Sequence, residues 1–249
     1  MSFIDTSGTT LEEIKERPWR LGIPLWIPGY TGQFAVGGVE VGGESDGNNF
    51  IDRLFSSELS LDFYFVGSVT YRWQQWDFHT DLFAGTIGKS VIFTLNDNTV
   101  VDATIKILMP RIYAGYDFLS GADPIGPITQ WQAYLGGRYY DLDIEIDLLD
   151  ERGKVEGKTS WFTFLIGTKM SVHIVNRLTL HLSGDIGGLI TNNEPTLFGD
   201  VSLHYRPWDL FSVNIGYVAI HLDRVGESPE DIEFTADLAG PVIGIAFHL

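Results

Sequence analysis

The chain has 249 residues, 44% of them hydrophobic, no cysteine, and 33 acidic against 16 basic side chains, for a formal charge of −17. This excludes disulfide staples, thiolate metal sites and cysteine nucleophiles, and it argues against nucleic acid, whose phosphates need clustered Lys and Arg. No run approaches the roughly 18 uninterrupted apolar residues of a membrane-spanning helix, so any crossing of a bilayer would be made by strands.

No Pro/Ser-rich or charge-rich linker divides the chain, which predicts one domain over residues 18–249 behind an N-terminal segment, 1–17. Met1-Ser-Phe-Ile-Asp5 lacks the basic and then apolar stretch of a signal peptide, so the expectation is that a signal was removed or that the protein is not exported. Thr9-Thr-Leu-Glu12 has capping-box spacing and predicts a short helix through Glu16, ended by Pro18.

Beyond Pro18 the dominant period is two. Trp19, Leu21, Ile23, Leu25 and Ile27 alternate with Arg20, Gly22, Pro24 and Trp26, and an extended segment resumes from Gln33 to Val41, as one kinked strand or two short ones. Residues 42–49 are rich in Gly, Ser, Asp and Asn, and Asn49 is placed to cap a helical turn through Phe55. Next, Leu59, Leu61, Phe63, Phe65, Val69 and Tyr71 share one face and Ser60, Asp62, Tyr64, Ser68 and Thr70 the other. A tight turn at Arg72-Trp73 leads into Trp76, Phe78, Thr80, Leu82 and Ala84, opposed by Gln75, Asp77, His79 and Asp81.

Further strands are expected at 99–117, 128–146, 158–173, 177–189, 196–206, 210–221 and 232–249. With those at 18–41, 57–71 and 74–94 they number ten, eight and twelve being the alternatives. Short turns near Arg72-Trp73, Val175-Asn176 and Pro207-Trp208 contrast with longer polar connections at 42–56, 147–157, 190–195 and 222–231, as in membrane barrels. Asn96-Asp97-Asn98 and Ser120 to Pro127 depart from that alternation. In the last strand Ile232, Phe234, Ala236 and Leu238 are apolar at even positions, whereas Ile243, Ile245, Phe247 and Leu249 are apolar at odd ones. That exchange predicts a bulge or kink at Ala239-Gly240-Pro241.

Alternation alone leaves open whether the apolar face points into a barrel or out into lipid. The polar faces carry Thr179, His181, Ser183 and Asp185, then Asp200, Ser202 and His204, then Ser212, Asn214 and Gly216. Small polar residues and Gly suit a crowded interior, whereas a solvent-facing sheet carries many Lys and Glu. The opposite faces hold large aliphatics with aromatics near the strand ends, which fits a lipid band with its interfacial girdle. The expected fold is therefore an all-β, closed, antiparallel up-and-down transmembrane β-barrel.

Several segments carry a resemblance: Pro24-Leu-Trp-Ile-Pro-Gly-Tyr-Thr-Gly32, the Arg72-Trp73 turn with Asp77, Ser183-Gly-Asp-Ile-Gly-Gly-Leu189, Asn214-Ile-Gly-Tyr217 and Gly240-Pro-Val-Ile-Gly-Ile-Ala-Phe247. Together the chain resembles the small Gram-negative outer-membrane β-barrel proteins of the OmpW and opacity-porin kind. That family usually ends in an aromatic, whereas here Leu249 is last and Phe247 lies two positions earlier. The resemblance implies the cell outer membrane as location, with the lipid bilayer and the barrel-assembly machinery as partners. It implies no reaction.

Candidate chemistry lies on the polar faces. Asp77, His79 and Asp81 share a face with neighbours about 6.6–6.8 Å apart, a spacing open to a divalent ion or to an Asp-oriented imidazole. A symmetric hairpin around Asn192-Asn193 would set His181 opposite His204, Ser183 opposite Ser202 and Asp185 opposite Asp200, with Lys169 and Arg138 at hand to offset the carboxylates. Together with Asp62 these residues are expected to form a lumen polar network. A metal or proton-linked site is the second reading; no catalytic set, cofactor or resident metal is expected. The acidic runs at 141–147 and 227–233 are expected to stand clear of the bilayer, as a solvated face or as a seat for cations that bridge lipopolysaccharide.

The function expected is that of an outer-membrane barrel, structural or a narrow, plugged conduit for small solutes, because ten strands enclose little more than the eight whose interior side chains fill. The alternative is a soluble or periplasmic lipocalin-like barrel around an apolar ligand.

Overall fold

The period-two segments fold as strands whose pairing closes on itself. A computed structural model describes residues 17–36, 39–45, 65–87, 93–95, 99–119, 128–147, 154–175, 177–189, 195–224 and 233–249. The strands are β1 (Trp19–Trp26), β2 (Gly29–Val36), β3 (Val39–Ser45), β4 (Phe65–Trp73), β5 (Trp76–Ile87), β6 (Phe93–Leu95), β7 (Thr99–Asp117), β8 (Ile128–Asp147), β9 (Lys154–Val175), β10 (Leu178–Gly187), β11 (Thr196–Trp208), β12 (Phe211–Arg224) and β13 (Glu233–His248). The expected helix at 9–16, the turn at 49–55, residues 57–64 with Asp62, and the Asn192-Asn193 loop lie outside the described residues.

Ten strands, β1, β4, β5 and β7 to β13, run antiparallel around the wall. β1 closes it against β13, from Arg20↔His248 to Trp26↔Val242, and Trp19 and Leu249 exchange backbone hydrogen bonds of 3.0 and 2.8 Å. No sheet edge remains along that seam. The remaining strands extend the wall at one end: β2 pairs with β13, β3 with β2, and β6 with β7.

Four sequence expectations change in detail. β1 and β2 both lie along β13 and form one strand broken at Ile27-Pro28; the segment expected from Gln33 to Val41 is instead a hairpin, with only Gly37 and Gly38 between Val36 and Val39. Residues 74–94 are two strands, β5 and the three-residue β6, rather than one. The turns fall one or two residues later than expected, because Trp73 pairs with Trp76, Val175 with Leu178 and Trp208 with Phe211. Gln74 (φ 56°) and Arg177 (φ 69°) take the positive φ that such tight hairpins demand.

The fourth correction concerns β13. No bulge interrupts it at Ala239-Gly240-Pro241: its pairing with β12 runs unbroken from Phe211↔Phe247 to Arg224↔Phe234, and even-numbered side chains point inward throughout. The irregular point is in the neighbouring strand. Gly240 stands so close to the Ile27 carbonyl oxygen that a Cβ would collide with it, and the Ile27 amide donates to the Pro241 oxygen at 3.1 Å. The break in β1/β2 is seated on Gly240.

What exchanges along β13 is the chemistry of each face. In the half carrying the termini and the tight turns, called lower here, outward residues are apolar: Ile112, Leu135, Ile215 and Ile243 are 55–65% exposed. On β9 this run extends from Phe162 to Ile174, and twelve steps of about 3.3 Å at 45° tilt project to roughly 28 Å, close to the ~30 Å of a bilayer core. Trp19, Trp73, Trp76, Tyr205 and Trp208 gather at its lower rim, exposed and near the termini, as an interfacial girdle requires. Two outward hydroxyls within the belt, those of Thr80 and Thr168, donate to the backbone oxygens of Arg111 and Gln132 at 3.2 and 2.9 Å, so neither needs water.

In the upper half the arrangement reverses. β7, β8 and β9, at 19, 20 and 22 residues, exceed the 9–11 or so needed to span a bilayer. Their upper ends face outward with Lys106, Asp141, Asp143, Glu145 and Lys158, and inward with Ile105, Ile107, Leu142 and Ile144. The apolar core therefore sits in the upper lumen, where Tyr140, Leu142, Ile144, Leu222, Ala236 and Leu238 have no exposed surface.

Candidate functional site

Below that core the inward positions are polar, and they build an ionic lattice. Alternation along β5 brings Asp77, His79 and Asp81 to the lumen, where each is engaged by a different partner. Arg72 donates to both Asp77 oxygens at 2.6 and 2.8 Å, and the Gln130 amide approaches the same carboxylate at 3.4 Å. Such a two-pronged pair is among the stronger charge-assisted contacts. One His79 ring nitrogen, Nδ1, lies 2.8 Å from the Thr70 hydroxyl and the other, Nε2, 3.1 Å from Asp81, while its ring stacks on Tyr113 at 4.6 Å.

Arg111 and Arg138 are direct cross-strand partners on β7 and β8, an opposition of like charges that needs anions between or beside them. Asp185, on β10, supplies one. Its carboxylate, with no exposed surface, accepts from Arg111 at 2.8 Å, from Arg138 at 3.0 Å and from the Tyr134 hydroxyl at 3.2 Å. Asp81 takes the far side of Arg111 at 2.6 Å. The alternating series Asp81–Arg111–Asp185–Arg138 crosses the lumen as a chord, and the Phe198 ring lies under both guanidinium groups, 4.3 and 5.2 Å from its centroid.

A second chord joins β1 to β11: Arg20 donates to His204 Nδ1 at 3.0 Å. The other His204 nitrogen lies 3.1 Å from the Ser202 hydroxyl, and Ser202 donates to Asp200 at 3.2 Å. His181 contacts Ser171 at 3.0 Å, and Ser171 donates to Gln130 at 3.2 Å, linking this group to the Asp77 pair.

The register between β10 and β11 differs from the symmetric expectation by two residues. Thr179 faces His204, His181 faces Ser202, Ser183 faces Asp200 and Asp185 faces Phe198. The two imidazoles still touch, as diagonal neighbours with ring centroids 4.1 Å apart, but the two carboxylates are not opposed. The offset settles the electrostatics: each carboxylate lies opposite an uncharged residue, and Asp185 is free to take two arginines. Arg138 is placed in the lumen beside Asp185. Arg20, Arg72 and Arg111 face the lumen as well. Their shared signal is the inward phase, since Arg111 continues the series Ile105, Ile107, Met109 and precedes Tyr113.

Between the ionic lattice and the apolar core lies a chamber of about 230 Å³. Its polar side includes Arg20, Lys169, His181, Ser183, Asp200 and His204, and its apolar side includes Trp26, Phe83, Met109, Val218 and Val242. One water needs only about 10–15 Å³ by such a measure, so the space accommodates a small organic molecule.

No family model matches the chain, and no curated protein matches it. Among solved structures it is similar to Neisserial surface protein A (12% identity, TM-score 0.34, 93% of this chain and 97% of that one). It is also similar to the translocator domain of the autotransporter NalP from Neisseria meningitidis (9%, TM-score 0.44, 93% and 88%). A third is the toluene transporter TodX of Pseudomonas putida (8%, TM-score 0.31, 99% and 97%).

Proposed function

We propose that this protein is an outer-membrane β-barrel whose lumen is shut at rest, acting as a structural element or as a narrow conduit for small solutes. The observation that carries this reading is the double closure. Tyr140, Leu142, Ile144 and Leu222 fill the upper lumen without exposed surface, and one ionic and one hydrogen-bonded chord span the lower lumen beneath them. A wide water-filled channel has no room in a ten-stranded wall packed in this way. The lower belt, with lipid-length apolar runs outside and salt bridges inside, is the inverse of a lipocalin and supports the membrane reading over the soluble one.

The test is reconstitution of the purified chain into planar bilayers. Silent membranes, or rare brief openings of small conductance, are expected. A steady open-pore current would overturn the closed-lumen reading, and a protein that stays monodisperse without detergent would overturn the membrane reading.

A further inference from the structure

The charges facing the lower lumen do not balance. Among the described residues Arg20, Arg72, Arg111, Arg138, Lys169 and Arg206 are six cations against five carboxylates, Asp77, Asp81, Asp117, Asp185 and Asp200, in a chain whose overall charge is −17. The arginines are engaged, Arg72 by Asp77, Arg111 by Asp81 and Asp185, Arg138 by Asp185, and Arg20 by His204. Lys169 differs: among the described residues its ammonium makes no direct hydrogen bond or ion pair, Asp77 and Asp200 attracting it only from a longer distance, and it lines the chamber. A charge held away from bulk water without a contacting anion is costly and is normally matched by one.

Its neighbours extend the case. Lys169 is flanked by Gln132 on β8 and Ser183 on β10, and the same cross-strand row continues through Asp200 to Val218. Residues able to hydrogen-bond thus flank Lys169 in the row, Ser183 lining the chamber with it, and the row ends on an apolar side chain. Phe83, Met109 and Val242 continue that apolar side of the chamber upward. One surplus cation fits a single negative charge, whereas a dianion would make this part of the lumen net negative.

We infer that the chamber is a binding site for a small amphiphilic monocarboxylate, its carboxylate on Lys169 and Ser183 and its short hydrocarbon tail against Phe83, Met109 and Val242. This names the solute class of the conduit proposed above and rests on that closed-lumen reading.

The test compares hexanoate, hexanol, hexylammonium and inorganic phosphate binding to the full chain in lipid nanodiscs by calorimetry. Hexanoate is expected to bind at least tenfold more tightly than each of the others. Lys169→Met is expected to lose at least tenfold in hexanoate affinity and Lys169→Arg to retain it, with the unliganded melting temperature of Lys169→Met no lower than that of the parent. Equal binding of hexanoate and hexanol overturns the inference without any variant. So does tighter binding of phosphate, or a folded Lys169→Met that binds hexanoate as the parent does. A protein silent in bilayers that lacks the head-group preference fails this inference alone, whereas steady conductance fails the closed-lumen reading beneath it.

Discussion

The lower and upper halves of the barrel share strands β7, β8, β9, β12 and β13, whose side-chain phase runs on from one half to the other, the register shifts of β8 and β9 lying at their lower ends, yet their faces carry opposite chemistry. Along β8 the inward series reads Gln130, Gln132, Tyr134, Arg138, then Tyr140, Leu142 and Ile144, and the outward series reads Trp131, Ala133, Leu135, Tyr139, then Asp141, Asp143 and Glu145. On the proposed membrane reading, the medium outside the lower half is lipid and the polar groups are turned inward to satisfy one another, whereas above it the medium is water and the ordinary arrangement of an apolar core under a charged surface returns. A strand can therefore keep one geometry while the solvent around it decides which face is the oily one.

The comparison is most easily broken at the lower chord. Asp185→Ala leaves the Arg111 and Arg138 guanidiniums facing each other without their shared anion, and removal of one partner from a buried pair costs about 3–5 kcal/mol. Urea unfolding from lipid vesicles should show a loss in that range. A loss below about 1 kcal/mol would mean that water screens the chord and that the lower lumen is wet.

An intermediate effect contrasts the two outer faces. Leu135 is outward and 65% exposed in the lower belt, so Leu135→Arg is expected to destabilise by about 2–4 kcal/mol, the cost of a cation near the bilayer midplane. Asp143→Arg, outward on the same strand eight residues higher, should cost at most about 1 kcal/mol, from its like-charged cross-strand neighbours Lys106 and Lys158 in water. Equal effects in the same vesicle assay would place both positions in one medium and erase the boundary.

The smallest effect sharpens the upper half. Lys106 and Glu145 pair at 3.0 Å on its outer face, with half of the Lys106 side chain exposed. Lys106→Ala should cost at most about 1 kcal/mol at low salt and nothing measurable at 1 M salt. A salt-insensitive loss would show that the pair is shielded from water after all.

Much of this organisation was legible in the residues. The strand phases placed Asp77, His79, Asp81, Asp185, Asp200 and Arg138 in the lumen, because a period of two assigns each residue a side once one residue is assigned. The exchange of polarity around Gly240 was legible too, but its cause was not. A slip in β13 and a change of medium along an unbroken β13 leave the same residue pattern, and only the continuous pairing from Phe211↔Phe247 to Arg224↔Phe234 separates them. The partners of the carboxylates were equally hidden. Arg72 and Asp77 are near in sequence, but Arg111 and Asp185 are 74 residues apart, and their meeting depends on the curvature of the wall.

By itself, then, the amino-acid order determined the elements: where strands run, which residues share a face, and that two apolar faces need a medium other than water. The tertiary structure decided what those faces meet. Closure of β1 on β13, the two-residue offset between β10 and β11, and the chords across the lumen are long-range pairings set by wall curvature and by how neighbouring strands slide, and no local period encodes them. For that reason the chamber and the unpaired Lys169 ammonium within it emerge only when the strands are brought together in space.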